Sequence, residues 1–556
     1  MKQPPSARTG TSQEREAPAG GLRALAEELH QQEILLEQGG GPKGQERQHK
    51  LGRLFARERI ARLLDNEDSF LELGLWAGWR MYPEVGDVPA AGVVTGIGLV
   101  HNRPCMIVAN DATVKAGAFF PQTVKKVLRA QRVAFENALP LLYLVDSAGV
   151  YLPMQDEIFP DEDDFGRIFR NNCVLSAGGV PQYAAIMGNC IAGGAYLPVL
   201  SDKILMTEGS GLYLAGAALV KAAIGQEVDQ EDLGGAAMHA QVSGTVDFRE
   251  KDDDSCLARL RELVTLLPAE RWGWAGDHAE VHPPARDPED VYSLVDAAGR
   301  KEYDMRDVID CIVDQGSLQE YKAEYGKSLI TAYARIGGHA AGIVANQRKR
   351  QESKKEGIQI GGVIYHESAD KAARFVMDCN QTGIPLLFLQ DVVGFMVGRD
   401  SEQSGIIRRG AKLVSAVSNS VVPKITVVIG GSFGAGNYAL CGKAYDPRFI
   451  FAWPSAKYAV MGAAQASGVI FSIKQKSAET EAQQKGLTLD GDELEALRRQ
   501  VHEDYEETTD IRYGAARGWV DAVIAPHLTR EVVSTVLGLV KRETPQARFK
   551  TGVIQT

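Results

Sequence analysis

The chain has 556 residues, a formal net charge of −11 and seven cysteines. That length exceeds one hydrophobic core and implies two domains of ordinary size, while the acidic balance, with no long basic stripe, excludes a general nucleic-acid binder. No apolar run approaches the ~20 residues that span a bilayer, and scattered cysteines without a CxxC pair point to a cytoplasmic protein with reduced thiols and no zinc ribbon.

Residues 1–20 are rich in Pro, Gly, Ser and charge, and are expected to be disordered. A helix is expected from Leu22 to about Gln38, ended by Gly39–Gly41, and a second one up to Leu64, followed by a turn and an apolar strand. VVTGIGLV and PCMIVAND read as paired strands joined by His101, Asn102 and Arg103. Lys115–Gln131 opens with small residues and becomes a basic-faced helix. The strand LLYLVD ends at Asp146, and a long acidic loop runs to Phe169. SDKILMTE resumes as a strand, and a helix ends near Leu267. Pro268–Pro288 reads as the domain linker. His278 and His282 have helical spacing, but prolines follow at once and no metal site is expected. RKRQESKK, near Arg348, reads as a solvated loop, and Ala478–Glu507 as an exposed insertion without chemistry. Alternating strands and helices in both halves give an α/β class.

One stretch organises the rest. Ile425–Ile429 reads as a buried strand, which passes through Gly430, Gly431, Ser432, Phe433, Gly434, Ala435 and Gly436 into small residues compatible with a helix. A strand turning through glycines into a helix leaves unpaired backbone N–H groups at one spot, where negative charge is favoured. The stretch occurs twice. Pro181, Gly188, Gly194 and Tyr196 align with Pro423, Gly430, Gly436 and Tyr438 at one spacing; Pro140, Asp146 and Gly149 align with Pro385, Asp391 and Gly394 at another. IVAN at Ile107 recurs at Ile343, so a large unit is duplicated.

Ser432 lies in GGSFG, which matches a nucleophile elbow, and Asp446 with His527 would complete a hydrolase triad. The matched position in the first half is Cys190, however, while the glycines and the tyrosine recur. What is duplicated is backbone donation. Close helix packing is the alternative use of such glycines, and a Rossmann reading fails because G-x-G-x-x-G spacing is absent.

ARERIARLLD at Ala56, VKAGAFFPQTVKKVLRAQ at Val114, YLVDSAG at Tyr143, FPDEDDFGRIF at Phe159, IAGGAY at Ile191, LVKAAIGQEVDQEDLGG at Leu219, GFMVG at Gly394 and GAGNYALCGKAYDPRF at Gly434 together resemble the carboxyltransferase β subunit of biotin-dependent acyl-CoA carboxylases. The resemblance runs from Leu22 to the C-terminus, and several tracts resemble the methylcrotonoyl-CoA branch; the segment from Ala345 replaces a shorter, Asn-rich family segment. It implies two tandem ClpP/crotonase-like domains, residues 21–285 on the acyl-CoA side and 286–556 on the biotin side. Gly193 and Gly194 would donate to the thioester oxygen, and Ala435 and Gly436 to the ureido oxygen of carboxybiotin. Ala192, Tyr196, Gly434 and Tyr438 would line the substrates, with Tyr438 standing where propionyl- and acetyl-CoA enzymes tend to carry Asp.

The implied reaction moves a carboxyl group from carboxybiotin to an acyl-CoA through an enolate. Methylcrotonoyl-CoA is the first substrate, with propionyl-CoA and acetyl-CoA as others. No Met-Lys-Met biotinylation site and no ATP-grasp region appear, so biotin and its carboxylase are expected from a partner α subunit. The resemblance further implies a dimer-based homo-oligomer, a hexamer, in which the first domain of one protomer faces the second domain of another. A sodium-pumping acyl-CoA decarboxylase subunit and a catalytically silent CoA-binding scaffold remain the alternatives.

Overall fold

The computed structural model describes residues 21–191, 193–267, 280–299, 301–353, 357–461, 470–472, 474–475, 491–540 and 549–550. The tail 1–20, residues 268–279 of the linker (with His278) and 478–490 of the insertion lie outside the described residues. The chain divides into two compact units. Glu28–Ala275 and Ala515–Ala522 belong to the first, and Gly276–Gly514 with the residues from Val523 onward to the second.

In the first unit, β1 (Leu71–Leu73), β2 (Val93–Val100) and β3 (Arg103–Asn110) pair antiparallel. The β2–β3 turn is one residue tighter than expected, because Arg103 already pairs with Val100. His101 and Asn102 have φ of 49° and 57°, the left-handed pair that suits the twist of a hairpin. β4 (Leu141–Ser147), β5 (Gln182–Ile191), β6 (Lys203–Thr207), β7 (Gly211–Tyr213) and β8 (Phe248–Glu250) follow in parallel. The order is β1-β2-β3-β4-β5-β6-β8, with β7 pairing the far end of β5.

Alternation decides what each face carries. Leu142 and Leu144 of β4 join the apolar core with Ile60, Leu63, Leu257 and Leu260 from the helices Ala56–Leu63 and Asp253–Thr265. Tyr143 points the other way, to Gln131 on the helix Pro121–Asn137 and Asn172 on the helix Phe165–Ala177. The latter begins four residues before the end expected for the acidic loop, since Phe165 packs between Phe119 and Phe169. The helix expected to be basic-faced buries one of its lysines. Lys126 Nζ donates to Ala90 O at 3.0 Å and Val93 O at 2.6 Å, where Ala90 and Ala91 hold positive φ.

The second unit repeats the plan. β9 (Gln319–Glu320), β10 (Leu329–Ile336) and β11 (His339–Asn346) are antiparallel. The chain then makes a small hairpin, β12 (Gln351–Ser353) and β13 (Gly357–Gln359), and a short β14 (Val363–Ile364). β15 (Leu386–Val392), β16 (Gly394–Phe395), β17 (Lys424–Phe433), β18 (Phe449–Ala452) and β19 (Lys457–Ala459) follow. The sheet order includes β18-β17-β15-β11-β10-β9, with β19 on β17 and β14 paired to β16. The helices His366–Thr382 and Ile406–Ser418 cover one face through Phe375, Val376, Leu413 and Val417.

Two expectations for this unit change. The described part of the insertion is a helix, Gly491–Thr509, that buries Val501 and Thr509 and pairs Glu506 with Lys457 at 2.9 Å, so it is not wholly exposed. Arg348, expected in a solvated loop, is turned inward onto the buried carboxylate of Asp391. Among the described residues no helix is long and apolar enough to cross a membrane.

Candidate active site

Each glycine turn begins as an arch in its strand. β4 and β5 stay in register to Val145 opposite Ile186, and the next pair is Ser147 opposite Cys190. Met187, Gly188 and Asn189 therefore arch over the single residue Asp146. In the second unit Gln390 faces Val428 and Val392 faces Ser432, so Ile429, Gly430 and Gly431 arch over Asp391. Beyond the arch each strand changes partner, β5 to β7 and β17 to β19. Each then runs into a short helix, Gly193–Val199 or Gly434–Ala439. A bulge re-aims the strand that carries it; here both are aimed at a helix start, where first-turn N–H groups lack intrahelical acceptors. Glycine is required at the arch. A β-carbon on Gly188 would lie 2.0 Å from Asp146 Cγ, and one on Gly430 2.5 Å from Asp391 Oδ1.

Both carboxylates are buried and paired. Arg59 lies 3.4 Å from Asp146 Oδ2, donates from Nε to Asp253 at 2.9 Å and from Nη2 to Met187 O at 2.7 Å. Burial raises the Asp146 carboxyl above its ordinary range, opposed by the Arg59 charge. In the second unit Arg348 Nε lies 3.0 Å from Asp391 Oδ2, Tyr303 donates to the same oxygen at 2.9 Å, and Gly431 N–H donates to Asp391 Oδ1 at 2.8 Å. Burial, with Asp391 beside it, pushes the Tyr303 phenol well up. A cavity of about 260 Å³ opens beside this pair, lined by Gly430, Gly431, Phe433, Lys457 and Glu506 among others.

A second loop closes on each turn, and sequence reasoning missed its duplication. Gly117 and Gly362, with φ of 68° and 76°, approach the carbonyls of Asp146 and Asp391; added β-carbons would lie 2.2 and 3.0 Å away. Phe119 bridges to Val150 as Ile364 pairs with Phe395, and Tyr151 N–H bonds Phe119 O as Met396 N–H bonds Ile364 O. Ser147 Oγ donates to Gly117 O at 2.7 Å and accepts from Gly149 N–H at 3.1 Å, which fixes Gly149 beside Gly194. The signal was available: Gly117 stands to Gly362 at the spacing of Asp146 to Asp391. The hairpin ahead of Gly361 hides it by lengthening the loop.

Gly193 and Gly194 open their helix, the first half-buried against Phe165 and the second buried. Gly434 (φ 54°), exposed Ala435 and buried Gly436 form the first turn of theirs. Tyr196 and Tyr438 are both about half exposed, Tyr196 with its ring 5.9 Å from Phe169 and Tyr438 stacked on Tyr445 at 5.7 Å. Ala192 lies outside the described residues.

The hydrolase alternative fails on geometry. Ser432 is buried, donates to Gln390 Oε1 and accepts from Asn437 Nδ2, both at 2.7 Å. His527 instead bonds the Tyr292 hydroxyl at 2.8 Å. Cys190, at the matched position, donates to Gly194 O at 3.0 Å, and burial pushes its thiol up. Among the described residues no group of three or more His, Cys, Asp and Glu side chains is placed to hold a metal ion.

Residues 47–551 match the carboxyl transferase domain family. A biotin-dependent 3-methylcrotonyl-coenzyme A carboxylase beta1 subunit of Mycobacterium tuberculosis is 45% identical over 519 residues, covering 93% of this chain and 94% of its own. A mitochondrial methylcrotonoyl-CoA carboxylase beta chain of Arabidopsis thaliana is 43% identical over 518 residues, covering 92% and 85%. The crystal structure of the P. aeruginosa geranyl-CoA carboxylase beta subunit matches 99% of this chain and all of its own, with 32% identity and a TM-score of 0.82.

Proposed function

The chain belongs to the carboxyl transferase domain family, and from that premise we infer that it is the carboxyltransferase subunit of a biotin-dependent acyl-CoA carboxylase. Its α/β fold is a tandem pair of crotonase-like units. The observation that carries the reading is the arch, strand and helix start built twice in one chain, because the reaction has two oxygens that gather charge. Residues 21–285 serve the acyl-CoA and residues 286–556 the biotin.

The N–H groups of Gly193 and Gly194 hold the thioester oxygen as the acyl group gives up a proton and becomes an enolate (from the γ-carbon where the acyl group is α,β-unsaturated), while Ala435 and Gly436 orient the ureido oxygen. Preorganised donors of this kind are each worth about 3–4 kcal/mol in the barrier. The second turn fits a ureido group: it offers backbone donors, and Gly436 leaves no side chain in front of them. Biotin, carried by an α subunit, supplies the carboxyl group and the base when bound. Tyr196 and Tyr438, half exposed beside the turns, supply apolar walls, and the methylcrotonoyl branch makes a branched five-carbon acyl group the favoured substrate. Val393, Tyr438 and Val460, exposed around the second turn, suit burial against another protomer of a dimer-based hexamer in the cytoplasm.

The test is biotin dependence without bound biotin. Purified chain should be silent on a streptavidin blot, yet decarboxylate a carboxylated acyl-CoA once free biotin or the biotin-bearing partner is added. Turnover indifferent to biotin would sink the assignment. A panel of acyl-CoAs, carboxylated by the enzyme with its partner, ranks the substrates.

A further inference from the structure

Asp146 and Asp391 stand at matched positions, each under the arch that precedes a donor turn, and each is neutralised by a guanidinium. The carboxylates are common to both copies of the duplicated unit; the guanidiniums are not. Arg59 comes from the helix Ala56–Leu63, ahead of the first sheet. Arg348 comes from the loop after β11, two residues beyond Asn346, and two residues beyond the matched Asn110 the first unit has Ala112. The two halves have met one requirement with unrelated residues. The requirement therefore belongs to the arch.

The contacts say what it is. Arg59 takes the arch carbonyl of Met187, and Asp391 takes the arch N–H of Gly431. A bulge leaves backbone groups outside the ladder, and left unbonded in the interior such groups are costly. Each pair supplies the partner that the neighbouring strand cannot. For stability alone, a buried ion pair does little that apolar residues would not do as well. What apolar residues cannot do is bind an arch in one shape.

We propose that Arg59–Asp146 and Arg348–Asp391 are positioning pairs, which fix the two arches and thereby aim the backbone donors of Gly193–Gly194 and Ala435–Gly436. The proposal rests on reading those donors as oxyanion holes. Neither pair touches the reacting atoms. The pairs differ in enclosure: Arg59 is sealed against Asp253, whereas Arg348 and Asp391 line the 260 Å³ cavity.

The holoenzyme, assembled with its biotin-bearing partner, tests this as wild type, Asp146→Asn, Asp391→Asn and the doubly neutral Arg348→Gln/Asp391→Asn. Asp146→Asn leaves Arg59 balanced by Asp253, and the double variant removes both charges of the second pair, so folding is protected in both. Sites are titrated with acyl-CoA, and kcat is expressed per binding-competent site. All three variants should lose at least about tenfold in kcat per site with KM for acyl-CoA within about twofold, as when an interaction made only in the transition state is removed. The double variant should regain melting temperature relative to Asp391→Asn without regaining kcat. Should Asp391→Asn fail to fold, the other two carry the comparison. Wild-type kcat per site in Asp146→Asn or the double variant, or kcat recovering in step with stability, overturns the proposal. Biotin-independent turnover by the wild type would instead overturn the functional assignment.

Discussion

Lys126 and Lys371 occupy the same place in the two units: each is the sixth residue of its helix, and each turns Nζ inward onto two backbone carbonyls. Lys371 binds Lys322 O at 3.2 Å and Tyr325 O at 2.9 Å, and Lys322, like Ala90, has positive φ. Each lysine thus ties a left-handed turn to the helix that follows the loop closing on the donor turn.

This has a pH signature. Burial brings Lys126 down to about 7 and Lys371 down to about 8, while an unfolded lysine titrates near 10.4. Above those folded values the unfolded chain binds more protons, so stability rises with pH, from about 7 upward for Lys126 and about 8 upward for Lys371. Below pH 7 both states are charged and the burial penalty is complete. Melting temperatures from pH 7 to 9 should rise in wild type and rise less in Lys126→Met; equal slopes would show that Lys126 is not buried in the charged-to-neutral range.

The glycines of the first turn should separate folding from chemistry. Gly188→Ala sets a β-carbon against the Asp146 carboxylate and should cut the yield of folded protein. At Gly194 the nearest atom is Gly149 Cα at 3.4 Å, an ordinary contact, so Gly194→Ala should fold. Gly194→Val should fold and still lose activity, because its branches stand before the donors. A folded, active Gly194→Val would remove this turn from the mechanism.

If each site takes one turn from each of two protomers, Gly194→Val and Gly436→Val should complement, once melting curves show that Gly436→Val, whose β-carbon meets Val392 Cγ2 at 2.5 Å, still folds. Random mixing makes half of the dimers mixed, each with one undamaged site, so roughly a quarter of wild-type activity should return. Sites built from one chain would return none. Tagged pull-down confirms that mixed assemblies formed.

Ser432→Ala should retain carboxyl transfer, with a loss of about 1–3 kcal/mol in stability as Gln390 and Asn437 lose their shared partner. The wild type should resist fluorophosphonate labelling at this residue. Labelling would reopen the hydrolase reading.

Tyr438→Asp should move preference from branched five-carbon acyl-CoA towards propionyl-CoA. It removes a half-exposed ring stacked on Tyr445, and a pocket change of this size redistributes about 1–3 kcal/mol. Unchanged substrate ratios would take Tyr438 out of the specificity argument.

The duplication and the two glycine turns were legible because they rest on short-range chemistry: a β-branched run, then glycines, then small residues. Asp146 and Asp391 were aligned in sequence, but their role under the arch was not visible. A bulge is a mismatch between two strands, and neither strand alone records it. Arg59 and Arg348 were hidden for the same reason, since a guanidinium among Glu and Lys reads as surface until its carboxylate is placed. Lys126 misled in the opposite sense, because it follows Lys125 directly and only helical rotation turns one outward and the other inward.

The β12–β13 hairpin leaves and rejoins the second unit at one point, where Gly362 N–H donates to Gln347 O at 2.8 Å. The fold is closed across that bond before the excursion begins, and lengthening a loop whose ends already meet adds only about 0.6 kcal/mol per doubling. The first unit crosses the same junction with the short run Asp111–Ala116. The hairpin beyond Arg348 is therefore a splice point, open to grafted epitopes, fluorophore tags or a trimmed loop, so long as Arg348 stays to meet Asp391 and the register of the glycines on either side is kept.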